Sequence, residues 1–198
     1  MNQAEKLFIS LSKKYRTPKQ VQLFLKNFPY NAEKNGETAR SAYQALKHGT
    51  AHCLEAAFIA AAILEHKGYP PLFVSIESMD GLGHVLFVFR KNGKWGSIGR
   101  SRDEGLHGRE PIFRSIRDLV WSYYDPYVDL TCKITEYALV NMNECEADWH
   151  TSKKNVWKAE KFLVDLKHTP LRSSKRRYKK LLDSYKKNGP MAREKFWW

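Results

Sequence analysis

The sequence predicts an α+β fold in which a central, cysteine-bearing helix packs on an antiparallel sheet, with basic helices added at the C-terminal end. Residues 50–66 are apolar on nearly every side of a helix, and such a helix belongs in the middle of a domain. Residues 72–98 contain three strand-like runs, and the last two flank Asn92-Gly93, the strongest short signal for a hairpin. The last quarter of the chain alternates basic and apolar residues at helical spacing.

Two shorter helices are predicted ahead of the central one. Thr17-Pro18 supplies a capping hydroxyl and a proline at the first helical position. Apolar residues then recur on one helical face, and these are Val21, Phe24, Leu25 and Phe28. A second helix is predicted from about residue 38 to residue 47, and Gly49 ends it.

The remaining elements follow from turn residues and alternation. Gly68 closes the central helix, and residues 72–76 are a predicted strand. The hairpin is expected to pair residues 85–90 with residues 94–98. Later segments are predicted as an irregular stretch (99–110), a helix (113–124), a strand (133–140) and two basic helices beyond residue 151.

Length and composition favour one ordered, globular protein. The chain has 198 residues, of which 42% are hydrophobic and 13% aromatic, enough for a substantial core. No apolar run approaches the roughly 20 residues that a membrane-spanning helix needs, so we expect no membrane span. The first residues lack the profile of a signal peptide, and three cysteines at irregular spacing indicate no disulfide framework. These features predict a cytoplasmic protein.

The positive charge is concentrated near the C-terminus. The net charge is +13, and residues 151–198 hold 15 of the 34 Lys/Arg but only 4 of the 21 Asp/Glu. We therefore predict a nearly neutral domain over residues 1–150 and a basic helical extension over residues 151–198. Nucleic acid or another polyanion is one predicted partner of this extension. The alternatives are a solvated helix without a partner and contact with a membrane surface. The aromatic end, Phe196 to Trp198, is expected to bury against the domain.

Cys53 and His84 are the predicted catalytic pair. Cys53 lies at the start of the central helix, where unpaired backbone N–H groups lower the pKa of a thiol. His84 stands at the head of a strand, after a glycine-rich loop. A small buried cysteine and a structural histidine are the alternative interpretation of each residue. The order of the two residues and the apolar helix between them favour a nucleophile and its base.

The segment around this pair carries a recognisable succession of residues. They are Ala42, Tyr43, Gln44, Ala45, Leu46, Gly49, Cys53, the alanine-rich helix, Gly68-Tyr69-Pro70, Gly83-His84 and Gly93-Lys94-Trp95. This succession resembles the transglutaminase-like branch of the papain-like cysteine peptidase superfamily, over roughly a third of the chain. The resemblance implies acyl transfer, in which a Cys53 thiolate paired with His84 attacks an amide or ester carbonyl. It implies no cofactor.

The third catalytic residue is where the sequence departs from that pattern. The family usually carries Asp about fifteen residues after the histidine, and Gly99 stands there instead. A two-residue turn would place Ser101 opposite His84, about 5 Å away between Cβ atoms, which makes Ser101 the first candidate to orient the imidazole. Asp103, on the diagonal, is the second. A Cys–His dyad oriented by water or by a backbone carbonyl is a further alternative.

Attack of the thiolate on a carbonyl forms an oxyanion, and the sequence indicates only one of the groups that would donate hydrogen bonds to it. The N–H of Cys53 is the expected first donor, because helix-start amides have no partner within the helix. Gln44 and His52 are candidates for the second. His48, His52 and His66 lie near Cys53 in sequence, but their spacing matches no common zinc pattern, and we expect no metal.

Two classes of function therefore follow. The first is a transglutaminase-like cysteine hydrolase or acyltransferase, with residues 1–150 as the hydrolase domain. It would act on a peptide, glutamine or related amide bond of a protein or peptide-like substrate. The alternative is a non-enzymatic binding protein that retains the fold and binds polyanions through its basic helices. Five arginines near the hairpin end predict either selection of an acidic substrate or a solvated surface, and these are Arg100, Arg102, Arg109, Arg114 and Arg117.

Overall fold

Six strands form one antiparallel sheet in this computed structural model, which describes residues 2–191. The strands lie in the order β4-β3-β2-β1-β5-β6. Their bounds are β1 Leu72–Ser78, β2 His84–Lys91, β3 Lys94–Ile98, β4 Arg109–Phe113, β5 Ile134–Asn141 and β6 Thr169–Pro170. The helices are α1 Gln3–Lys14, α2 Pro18–Lys26, α3 Ala42–His48, α4 Cys53–Leu64, α5 Ile116–Tyr127, α6 Trp157–Val164 and α7 Lys175–Asn188.

Side chains alternate between the two faces of the sheet and build a core on each. Phe73 and Phe87 point to one face, where they pack with α1 to α4 and α6. Val74 and Leu86 point to the other face, where they pack with α5 and the apolar side of α7. This period-2 alternation is the reason that one sheet supports two hydrophobic clusters.

The central position of α4 confirms the predicted fold class. Every residue of α4 except Cys53 is buried, and α4 contacts β2 together with α1, α2 and α3. The alanines along α4 let these neighbours approach closely, and apolar area removed from water stabilises the fold by about 25 cal/mol per Å². The chain is thus an α+β protein with a cysteine-bearing helix on an antiparallel sheet.

The hairpin between β2 and β3 has the predicted register. Lys91 pairs with Lys94 and Phe87 pairs with Ile98. Asn92 and Gly93 both have positive φ angles, of 50° and 75°, as a two-residue hairpin turn of this hand requires. However, β3 ends at Ile98, so the ladder stops before it reaches the level of His84.

Several elements differ from the sequence-based prediction. Helix α1 was not expected, although Asn2 and Glu5 form a capping box at its start. Strand β4 lies partly in the stretch predicted as irregular, and its Pro111 fits only an edge strand. Helix α3 starts at Ala42 rather than near residue 38, because the Ser41 hydroxyl caps it.

The C-terminal quarter packs against the rest of the molecule. Ala159 and Leu163 of α6 are buried in the first core. On α7, Tyr178, Leu181 and Leu182 lie against the second core, as their spacing predicts. The division at residue 150 and polyanion binding by residues 151–198 stay predictions. The predicted burial of the aromatic end concerns residues outside those described.

None of the helices within residues 2–191 combines the length and the apolar character needed to cross a bilayer.

Candidate active site

The Cys53 side chain lies at the N-terminus of α4 and is half-buried. Burial by itself raises the pKa of the thiol, but side-chain hydrogen bonds with His52 and His84 outweigh it. The charges of the two imidazoles act in the same direction. The pKa of Cys53 is therefore held well below its ordinary value, which favours the nucleophilic thiolate.

His84 is the first residue of β2 and is 4% exposed. Its Nε2 lies 3.0 Å from the backbone oxygen of Leu106. A carbonyl oxygen only accepts, so Nε2 carries the proton and donates to Leu106. Nδ1 is then the ring atom left to accept a proton from the thiol of Cys53.

The Leu106 carbonyl occupies the place that the resemblance assigns to a carboxylate. A Cβ atom built on Gly99 would lie 3.6 Å from Nε2 of His84 and 3.4 Å from the Leu106 oxygen. It would also lie 2.5 Å from Cδ2 of Leu86, a distance that real contacts do not reach. Glycine at position 99 thus leaves room for a main-chain acceptor beside the ring.

Ser101 and Asp103 both line the cleft, but the structure gives them other bonds than the predicted ones. The Ser101 hydroxyl accepts a hydrogen bond from the backbone N–H of Asp103, at 3.2 Å. The physical reason is that β3 ends at Ile98, so the chain leaves the sheet before Ser101 comes opposite His84. Nε2 of His84 bonds to Leu106, which corresponds to the backbone-carbonyl alternative.

The predicted oxyanion donors Cys53 and Gln44 lie in different places. The N–H of Cys53 belongs to the first residue of α4, where backbone amides have no acceptor within the helix. Gln44 lies on α3, where its N–H donates to Ser41, and it is not among the described residues that line the cleft. The structure therefore does not bring Gln44 to the site.

The cleft above the thiol has a volume of about 140 Å³. Its walls come from the loops after α2, β1 and β3, from the end of α5, and from the end of α7. The residues that matter for the chemistry below are Tyr30, Cys53, His84, Arg102, Leu106 and Tyr127. Tyr185 and Pro190 close one side, so the C-terminal segment forms part of the cleft.

Tyr30 is a site residue that the sequence did not reveal. Burial, and then the negative charge of Cys53, raise its pKa to about 12, so the phenol keeps its proton. The guanidinium of Arg100 lies 5.4 Å from the ring centroid. In the sequence, Tyr30 looks only like the end of a helix, because its position beside Cys53 depends on the short bridge between Tyr30 and Ala51.

His52 joins the thiol to a buried polar network. Its Nε2 lies 2.9 Å from the Thr38 carbonyl, and its Nδ1 accepts a 3.3 Å bond from Leu54 N–H. Burial lowers the pKa of His52, but Cys53 and Glu55 outweigh it and raise the pKa to about 9. Nδ1 can accept from Leu54 only while it carries no proton, so protonation of His52 breaks this bond.

Through its buried carboxylate, Glu55 connects the first turn of α4 to the segments that precede it. Its carboxylate is 0% exposed and accepts bonds from Arg40 Nε at 2.6 Å and Nη2 at 2.9 Å. It also accepts from Asn31, Thr38 and the backbone N–H of His52. This network fixes the end of the helix that carries the thiol.

One group of possible metal ligands occurs within residues 2–191, among the residues that line the cleft. Asp80, Asp129 and Cys132 have ligand atoms within 4.8 Å of one another. The carboxylates already accept local bonds, as Asp80 does from Leu82 N–H and Asp129 from Cys132 N–H. Burial, above all, raises the pKa of Cys132 to about 12, so its thiol is protonated. We assign no metal to this group.

Comparison with known proteins identifies the family. A sequence model described as vasohibin matches residues 41–188, which includes Cys53, His84 and Leu106. The chain belongs to the vasohibin family. No curated protein matches it.

Among solved structures, the chain is similar to Legionella pneumophila LapG, with 15% identity and a TM-score of 0.41 over 73% of this chain and 80% of LapG. For LapG treated with EGTA the values are 14% and 0.42, over 80% and 83%. At these TM-scores the likeness is too remote to transfer a property to this member of the vasohibin family.

Proposed function

We propose that this vasohibin-family protein is a transglutaminase-like cysteine hydrolase or acyltransferase that acts on an amide bond of a protein or peptide-like substrate. The observation that carries the proposal is the arrangement of His84. Its Nε2 is held by the Leu106 carbonyl, while its ring bonds to a thiol of lowered pKa at a helix N-terminus. This is the geometry of a nucleophile, a base and an orienting group.

The reaction begins with transfer of the Cys53 proton to Nδ1 of His84. The thiolate then attacks the carbonyl carbon of the amide, and a tetrahedral oxyanion forms. As the C–N bond breaks, the imidazolium returns its proton to the leaving amine, and a thioester on Cys53 remains. Water releases the acid in a hydrolase, or an amine takes the acyl group in a transferase, and Cys53 regains its thiol.

The carbonyl of Leu106 stabilises the thiolate–imidazolium pair that forms in this cycle. When His84 becomes charged, the Nε2–H bond to the Leu106 carbonyl becomes a charge-assisted hydrogen bond and strengthens. The carbonyl therefore favours the imidazolium and, with it, the thiolate. It does so without a carboxylate, since a carbonyl dipole supplies the partial negative charge.

The cleft also suggests the charge of the substrate. Arg102 lines the cleft, whereas Arg100, beside Tyr30, donates to the carbonyls of Phe28 and Ser101. Guanidinium groups bind carboxylates with two parallel hydrogen bonds. We infer that the substrate carries an acidic group next to the amide that reacts.

The proposal is tested by labelling with a peptide that carries a thiol-reactive amide mimic. The wild type is expected to carry one adduct, on Cys53, when the protein is digested and analysed by mass spectrometry near neutral pH. Cys132 is the internal control, because its raised pKa keeps it protonated. Equal labelling of Cys53 and Cys132, or undiminished labelling of Cys53→Ala, would contradict a thiolate mechanism.

A second prediction concerns Tyr30 as the second oxyanion donor. Its hydroxyl keeps its proton and lies in the cleft with Cys53. Tyr30→Phe is therefore expected to lower kcat by about 100-fold with little change in KM, as the loss of one oxyanion donor does. The matched control is Tyr127→Phe, because Tyr127 lines the same cleft but donates to the Leu82 carbonyl. Equal effects of the two substitutions would exclude this role for Tyr30.

A further inference from the structure

The acceptor that orients His84 belongs to a loop, and a loop carbonyl points where its neighbours hold it. Leu106 ends a short 3-10 turn, Glu104–Leu106, between β3 and β4. Because the peptide unit is planar, the direction of a carbonyl is set by the backbone dihedral angles on either side of it. The hydrogen bonds made by the carbonyls of the residues before and after Leu106 therefore help to set the direction of the Leu106 carbonyl toward the imidazole of His84.

Both flanking carbonyls bind one guanidinium. Arg109 donates from Nη2 to the Gly105 oxygen at 2.6 Å, and from Nη1 to the His107 oxygen at 2.7 Å. The two oxygens belong to the residues immediately before and after Leu106. The guanidinium thus spans Leu106 and leaves its carbonyl turned away, toward Nε2 of His84.

Arg109 is itself rigidly held. It is 0% exposed, and its N–H donates to the Ser97 hydroxyl across the β3–β4 ladder at 3.0 Å. Its Nε donates to the Ser122 hydroxyl of α5 at 3.2 Å. Its guanidinium lies 3.9 Å from the ring centroid of Tyr123. A buried cation that is fixed from both a strand and a helix provides a firm support for the loop.

Tyr123 reinforces the same support. Its hydroxyl donates to the His107 oxygen at 2.9 Å, so that oxygen accepts from both Tyr123 and Arg109. Gly105 is confined as well, because an added Cβ would lie 2.7 Å from both the Met191 oxygen and Cβ of Pro126. The loop has little freedom on either side of Leu106.

We infer that Arg109 is the positioning residue that holds the Leu106 carbonyl against His84. This inference rests on the proposed function, since it matters only if His84 serves Cys53. The planar fork of arginine reaches two carbonyls at once, and lysine has a single nitrogen that cannot span them in the same way. Arg109 touches no reacting atom and acts through the loop.

The test follows the alkylation of Cys53 by iodoacetamide in the full chain, from pH 5 to pH 9. Arg109→Lys is expected to shift the midpoint of the pH–rate curve upward by about one unit, with about a tenfold lower rate near pH 6. Tyr123→Phe removes one of the supporting bonds and is expected to shift the midpoint in the same direction by less. The control is Ile134→Val, a conservative change in the second core on β5.

A purely structural role for Arg109 gives a different result. Arg109→Lys would then lower the thermal stability, as Ile134→Val does, and leave the midpoint at the wild-type pH, which would overturn the inference. If Arg109→Lys does not fold, as judged by circular dichroism, Tyr123→Phe decides, and an unshifted midpoint in that variant has the same meaning.

Failure of the proposed function is recognised separately. In that case the wild-type Cys53 itself shows the alkylation midpoint of an ordinary thiol, and His84→Ala does not move it. A low wild-type midpoint that depends on His84 but not on Arg109 overturns only the inference about Arg109.

Discussion

His84→Ala is expected to lower amide hydrolysis by about 1,000-fold or more while the protein stays folded. The imidazole both takes the thiol proton and returns it to the leaving amine, so both halves of the reaction are lost. Its ring also lowers the pKa of Cys53 through a hydrogen bond and its charge. Without it, alkylation of Cys53 requires a higher pH.

The measurement combines hydrolysis of a peptide substrate with the pH dependence of Cys53 alkylation between pH 5 and pH 9. His66→Ala is the matched control, because His66 is an exposed histidine beyond the end of α4. His52 still lies beside the thiol in the His84 variant and keeps part of the lowered pKa. An alkylation curve of His84→Ala that coincides with the wild-type curve would show that the two residues do not act as a pair.

The sequence predicted those parts of the site that depend on local patterns. The apolar run after Cys53 requires a buried helix, and the glycine-rich loop before His84 leads directly into a strand. The Asn92-Gly93 turn fixed the hairpin register, because only a two-residue turn pairs Lys91 with Lys94. Each of these signals lies within a few residues of the structure that it determines.

The orienting group was not predictable in the same way. Every residue has a main-chain carbonyl, so the residue type at position 106 does not indicate that this carbonyl accepts from His84. Only a strand that continued to residue 101 would place Ser101 opposite His84, whereas β3 ends at Ile98. Beyond that point the loop is bonded to Arg109 through the carbonyls of Gly105 and His107.

The two missed elements have different causes. Helix α1 carried local signals, because Leu7, Phe8 and Leu11 recur at helical spacing behind the Asn2–Glu5 capping box. Strand β6 has only two residues, both exposed, and exists because β5 offers it a free edge. Only β6 is decided by tertiary contacts.

Arg40→Met is expected to lower the free energy of unfolding by about 3–5 kcal/mol, more than any other substitution proposed for this protein. The Glu55 carboxylate is fully buried, and two nitrogens of Arg40 bond to it. Removal of the guanidinium leaves a charge that has been taken out of water without its principal counter-charge. The reference is the double variant Arg40→Met/Glu55→Gln, which removes both charges and should recover part of the loss.

The effect of pH distinguishes this ion pair from simple packing. Burial raises the pKa of Glu55, but the bond from Arg40 and the neighbouring His52 outweigh it, so the net pKa lies below its ordinary value. A depressed carboxyl pKa stabilises the folded state above the unfolded pKa of about 4.3, and this contribution is lost as the pH falls through the folded value.

Protonation of Glu55 at low pH also removes the cost of a buried carboxylate without its counter-charge in Arg40→Met. The free energies of unfolding of wild type and variant, measured in urea, should therefore differ most near pH 7 and converge below about pH 4. A difference that is the same at both pH values would mean that Arg40 stabilises the fold through its packing and not through its charge on Glu55.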